Sequence, residues 1–176
     1  MWSVHGSSTW VSRKNLPDGN YCPTYSTVFD TTGAGQLNDD MPAFVISTSC
    51  NIGYPEYEDN LAHKMMENGA VTTLAGTRTL LYVEGHFTRE SKNYEPIAEW
   101  SRDLRATAYY YMKRIAEDVR AGDALFLAKQ EKSLTDSAAW VNNFGMNLYG
   151  DPGMKLLPPS STDTDTDMDG LSDDEE

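Results

Sequence analysis

The chain has 176 residues, 39% hydrophobic and 11% aromatic, with a formal net charge of -13, which suits one domain of ordinary size with a real core. No run of about 18 apolar residues exists, which excludes a membrane-spanning helix, and MWSVHGSSTW at the front lacks the basic and apolar regions of an export signal. Residues 163–176 hold eight of the 27 acids and no base, leaving 19 acids against 14 bases elsewhere, and no Lys/Arg cluster offers a phosphate-tracking surface, so nucleic acid is not an expected partner.

In chain order, residues 1–4 read as the end of a strand that stops at His5-Gly6. Residues 7–41, rich in Ser, Thr, Gly, Asn, Asp and Pro, read as a long loop, and a loop of that length inside a domain is usually functional. Pro42–Thr48 is a short apolar run, expected to be a buried strand, and it ends at Ser49-Cys50-Asn51. Residues 57–68 predict a helix with Leu61, Met65 and Met66 on one face and Asn68-Gly69 as its stop. Ala70–Gly76 is a second buried strand, so strand, helix and strand form a parallel crossover unit.

A long helix is predicted from about Pro96 to Ala121, because Ile97, Trp100, Leu104, Ala108, Tyr111, Ile115 and Val119 recur every three or four residues. Gly122 is its expected stop and Asp123 the N-cap of a following helix, DALFLAKQEK. A last helix over about 134–144 is broken by Asn147–Pro152, with Met154–Leu157 as a closing strand. The domain then covers residues 1–157, residues 158–162 (PPSST) form a linker, and 163–176 an acidic tail.

Two residues in this layout carry chemistry. His5 and Cys50 each end a predicted strand, and the carboxyl edge of an open α/β sheet is where loops and helix N-termini converge on ligands. A thiol there can be made nucleophilic by a helix N-terminus and a nearby imidazole, and the imidazole can protonate the leaving amine of a cleaved peptide. Small neighbours, Gly6 and Ser49, let backbone N–H groups approach a developing oxyanion. Taken singly, a cysteine ending a strand also suits a small buried hydrophobe, and a loop histidine a surface group. The other cysteine, Cys22, matches no metal-ligand spacing, and a Cys22–Cys50 disulfide stays open. His63 and His86 lack partners at ligand spacing, Tyr109–Tyr111 reads as partly core, and Arg78 and Tyr82 follow a strand edge where a cleft could lie.

Four motifs in order give a resemblance. Val4-His5-Gly6-Ser7-Ser8-Thr9-Trp10 resembles the histidine motif of the gingipain-type cysteine peptidases, and Phe44–Gly53 (FVISTSCNIG) resembles their cysteine motif. Gly69-Ala70-Val71 with Gly76-Thr77 resembles the next strand, and Asn147–Pro152 (NLYGDP) the closing signature. The resemblance implies an α/β fold, a caspase-like three-layer sandwich with a mostly parallel central sheet whose N-terminal strands are missing from this chain. It also implies hydrolysis of protein or peptide substrates through a thioester, with no cofactor for catalysis. His5 would be general acid/base, Cys50 the nucleophile, and the N–H groups of Gly6 and Cys50 the oxyanion hole. Because only four residues precede His5, the chain is expected to be part of a longer, secreted or cell-surface protein whose export signal lies upstream. An inactive fragment, or a binding or adhesion module that retains the fold, is the alternative.

The tail has its own pattern. Asp165-x-Asp167-x-Asp169-Gly170-x5-Glu176 fits the EF-hand loop at every position, with Leu171 offering its carbonyl and Asp173 at position nine. Hard oxygen ligands at those positions suit Ca²⁺, although a solvated acidic tail has the same composition. The run Asp-x-Asp-Gly-Leu-Ser-Asp also resembles thrombospondin type 3 repeats, which bind calcium outside cells.

Overall fold

A computed structural model of the chain describes residues 5–15, 24–81, 104–132, 134 and 136–156. The predicted tail and linker, Cys22, Tyr82, His86, Ile97 and Trp100 lie outside these residues.

The first sheet is made of β1 (His5–Gly6), β2 (Trp10–Asn15) and β3 (Thr24–Asp30), all antiparallel. This corrects two expectations: residues 7–41 are not one loop, and the strand holding His5 is not parallel. The polar letters hid a hairpin whose apolar positions are few. Val11 and Phe29 are paired across it and pack on the core, and Thr24, Tyr25, Thr27 and Val28 are residues that favour the pleated backbone. Asp30 then accepts from Gly33 N–H at 2.9 Å and starts a single helical turn, α1 (Thr31–Ala34).

The second sheet has the order β4-β5-β6, with β4 (Ala43–Ile46) parallel to β5 (Ala70–Gly76) and β5 antiparallel to β6 (Met146–Gly150). Among the described residues the sheets are small, one antiparallel and one mixed, where a mostly parallel sheet was expected. The parallel pair is the predicted crossover. Its helix, α2 (Leu61–Met66), is shorter than predicted because Asn60 caps it, accepting from His63 N–H at 2.9 Å.

β5 is the central strand, with six of its seven residues buried, so both faces must be covered. Alternation along the strands divides the core. Phe44, Ile46, Leu74, Met146 and Leu148 face α3 (Leu104–Ala116) and α4 (Ala121–Gln130). Val45 and Ala75 face α2 and the hairpin. The described part of the predicted stripe behaves as expected: Leu104, Ala108, Tyr111 and Ile115 are buried. Tyr109 and Tyr110 meet edge to face beside it, half-buried.

The long helix stops earlier than predicted. α3 ends at Ala116, and Asp118, at φ 59°, turns the chain. Gly122 lies inside α4 rather than ending α3. A Cβ there would come within 2.7 Å of Pro152, so glycine permits close approach of the 151–154 segment. That segment caps α4: Pro152 and Met154 carbonyls accept from Gly122 and Ala121 N–H, both at 2.8 Å, and the N-cap Arg120 makes no side-chain bond. α5 (Ser137–Gly145) begins at Asp136, which accepts from Ala139 N–H at 2.9 Å, and runs directly into β6. The closing strand is therefore Met146–Gly150, and Met154–Leu156 is not a strand.

Candidate active site

The carboxyl end of β4 carries Cys50. Ser47 N–H extends the ladder to Leu74 O at 2.9 Å; Thr48 and Ser49 are then buried, and the chain turns at half-buried Cys50. Asn51 follows at φ 57°, a left-handed conformation that Asn tolerates. The turn is pinned to the segment after β5 by Asn51 N–H to Arg78 O at 3.2 Å and Gly53 N–H to Gly76 O at 3.0 Å. Gly76 has to be glycine here, because a Cβ would overlap the Ser49 carbonyl.

The Cys50 sulfur is fixed between two backbone groups of one residue: Leu80 N–H donates to Sγ at 3.3 Å, and the thiol faces Leu80 O at 3.6 Å. Among the described residues Cys50 carries a free thiol. Leu81 is in turn clamped by the buried Asn142, whose amide accepts from Leu81 N–H and donates to Leu81 O, both at 2.7 Å. Nothing in the sequence near Cys50 points to Asn142, which lies 61 positions beyond Leu81.

His5 and Gly6 reach the same place from the first sheet. A Cβ on Gly6 would lie 2.6 Å from Cys50 O, 2.7 Å from Ser49 Cβ and 2.9 Å from Ile52 Cγ2. Gly6 thus presses its backbone against the cysteine turn, across 44 positions of sequence. The loop after it is held from two sides: Ser8 O accepts Leu61 N–H at the start of α2, and Thr9 O accepts Thr31 N–H at the start of α1. Half-buried His5 sits in the adjacent position, in register with Ser12. Gly6 and Cys50 are thereby in contact at the carboxyl end of the β4–β5 pair, with His5 next to Gly6 in the chain.

The rim beyond the cysteine is polar. Arg78 forks onto Glu56 (2.9 and 2.6 Å), and its guanidinium lies 5.0 Å from the Tyr54 ring centre. Tyr149 donates its hydroxyl to Gly53 O beside them. Burial pushes the Tyr149 phenol above its ordinary value, the Arg78 cation opposing and Glu56 adding to the shift. His63 is exposed on α2, its Nδ1 2.8 Å from Glu58 O, and takes no part in this rim. The predicted calcium ligands, Asp165, Asp167, Asp169, Leu171, Asp173 and Glu176, lie outside the described residues; among those described, no cluster of three His, Cys, Asp or Glu side chains could hold a metal.

A free thiol follows a strand of a parallel pair and lies against the His-Gly strand of a mixed α/β chain. Residues 2–157 match the family model of peptidase family C25, so the chain belongs to that family, the gingipain family of cysteine peptidases. The family carries a caspase-like α/β fold and acts on protein substrates. No curated protein and no solved structure matches the chain. Among the described residues no helix is long and apolar enough to cross a membrane.

Proposed function

We propose that this chain supplies the catalytic end of a cysteine endopeptidase, with Cys50 as nucleophile and His5 as general acid/base. The observation that carries the reading is the contact of Gly6 with the Cys50 turn, at which only a side-chain-free residue fits. Family membership gives that contact its chemical sense.

The Cys50 thiol gives its proton to the His5 imidazole, and the thiolate attacks the scissile carbonyl carbon. The oxyanion takes hydrogen bonds from the backbone N–H groups of Gly6 and Cys50. The His5 imidazolium protonates the leaving nitrogen as the C–N bond breaks, leaving a thioester. Water then loses a proton to His5 while attacking the thioester, and the returned proton regenerates the thiol with release of the acid. Leu80 N–H, directed at Sγ, holds the sulfur in one position.

The test is hydrolysis of a diverse peptide library by the full-length protein. Cleavage abolished in both Cys50→Ala and His5→Ala supports the dyad; activity surviving Cys50→Ala overturns it. We further propose that the 163–176 tail is a thrombospondin type 3-like unit binding Ca²⁺ through Asp165, Asp167, Asp169, Leu171 O, Asp173 and Glu176. Such a site suits a secreted or cell-surface protein, because extracellular calcium is millimolar.

A further inference from the structure

The rim cluster beside Cys50 contains an incompletely used cation. Arg78 has five N–H groups. Nη1 spends one on Glu56 Oε2 at 2.9 Å and one on Thr77 O at 2.8 Å, while Nη2 spends one on Glu56 Oε1 at 2.6 Å. The Nε–H and the second Nη2 N–H find no acceptor among the described residues. These two lie parallel on one edge of the guanidinium plane, the geometry that receives both oxygens of a carboxylate. Tyr54 covers one face at 5.0 Å, and Glu56 fixes rotation within the plane, so the free edge is held ready rather than searching. Half of the Arg78 side chain is nevertheless exposed, so the edge is open to a ligand.

Its position relates it to the bond being cut. Arg78 O accepts from Asn51, the residue after Cys50, and Leu80, two residues on, touches the sulfur. At roughly 3.3–3.6 Å per residue of extended substrate, the guanidinium falls within a few residues of the reacting carbonyl.

We propose that Arg78 is a specificity-determining residue, which holds a substrate carboxylate, an acidic side chain or a free C-terminus, within about three residues of the bond attacked by Cys50. The proposal rests on the peptidase reading and names the substrate class of that same site. Glu56 offsets the charge of Arg78, so selection comes from the directed pair of hydrogen bonds more than from long-range attraction. Glu56 itself is a poor receptor for a basic substrate, because both of its oxygens are already engaged by Arg78.

The experiment uses the full-length protein and matched peptides with Glu or Gln scanned over three positions on each side of the cleaved bond, plus a free-acid and amide pair at the C-terminus. A preference of about tenfold for the carboxylate at one position is expected, expressed in KM. Preference in the Glu/Gln scan identifies an acidic side chain as the source; preference only in the acid/amide pair identifies a free C-terminus. The ratio falls towards one in Arg78→Gln and in Arg78→Lys, since lysine keeps the charge but loses the fork. Equal rates for charged and neutral peptides, a preference for Lys, or a ratio unchanged in Arg78→Lys overturns the proposal. Anisotropy measurements of the same peptides binding to Cys50→Ala read the carboxylate preference without turnover. Absent cleavage with a retained binding preference sinks the dyad alone; equal binding of each pair sinks the Arg78 subsite alone.

Discussion

Replacing Gly6 by Ala adds one methyl group where the structure has no room for it. The new Cβ would lie 2.6 Å from Cys50 O, 2.7 Å from Ser49 Cβ and 2.9 Å from Ile52 Cγ2. The first of these is backbone and the second is the root of a buried serine, so neither can rotate away. Overpacking of this kind costs about 1–3 kcal/mol, against a gain of roughly 0.4–1 kcal/mol from a less flexible unfolded chain. The expected outcome is a net loss of about 1–2 kcal/mol, read as a urea midpoint lower by several tenths of a molar at an unchanged slope. The same methyl group pushes the His5 strand off the cysteine turn, and a displacement of about 1 Å is enough to cost ~100-fold in turnover. Gly35→Ala is the control, since its Cβ would meet nothing closer than 3.5 Å and its φ is -66°. Identical midpoints and rates for Gly6→Ala and Gly35→Ala would refute the contact on which the proposed site depends.

Asn142→Ala should destabilise the fold by about 1–3 kcal/mol in chemical denaturation, because both Leu81 backbone groups lose their side-chain partner; unchanged stability would contradict the clamp. Burial raises the phenols of Tyr111 and Tyr149 above their ordinary 10.0. The unfolded chain therefore loses these protons first, so stability is intact below about pH 10 and falls as pH climbs through the raised values. Denaturation between pH 8 and 12 should show that fall, reduced in Tyr149→Phe; stability rising over that range would contradict it. Titration calorimetry of the full chain should detect one Ca²⁺ bound by the tail, weakened about tenfold or more in Glu176→Gln through loss of the bidentate ligand. An affinity identical in Glu176→Gln and Asp165→Asn would reduce the tail to a solvated acidic run.

The legible parts of the fold were those whose signal is local. Ala70–Gly76 is bounded correctly because its run ends in glycines on both sides, and the β4 run is visible because four apolar residues stand together between Pro42 and Ser47. The stripe from Leu104 to Ile115 was visible because helical spacing repeats it. The hairpin was not legible: its strands are stabilised by each other, and the Ser, Thr, Asn, Gly and Pro around their few apolar residues read as loop. β6 was hidden by the Gly-Asp-Pro that follows it, which outweighed the alternation of Met146 and Leu148 towards one face and Tyr149 towards the other. At the candidate site, motif and strand ends point to Cys50 and His5-Gly6, and the structure shows the Gly6–Cys50 contact alone. Leu80, whose backbone meets the sulfur, and Asn142 behind it have no signature of their own, since their roles come from chain segments meeting in space.

Alkylation of Cys50 is the most direct measure of the thiol and imidazole acting together. Full-length protein is treated with iodoacetamide at pH 6, and the rates at Cys50 and Cys22 are followed by peptide mass spectrometry, with His5→Ala alongside. The account predicts that Cys50 reacts far faster than Cys22 and that His5→Ala removes the advantage. Equal rates at the two cysteines, or a Cys50 rate indifferent to His5, would contradict it.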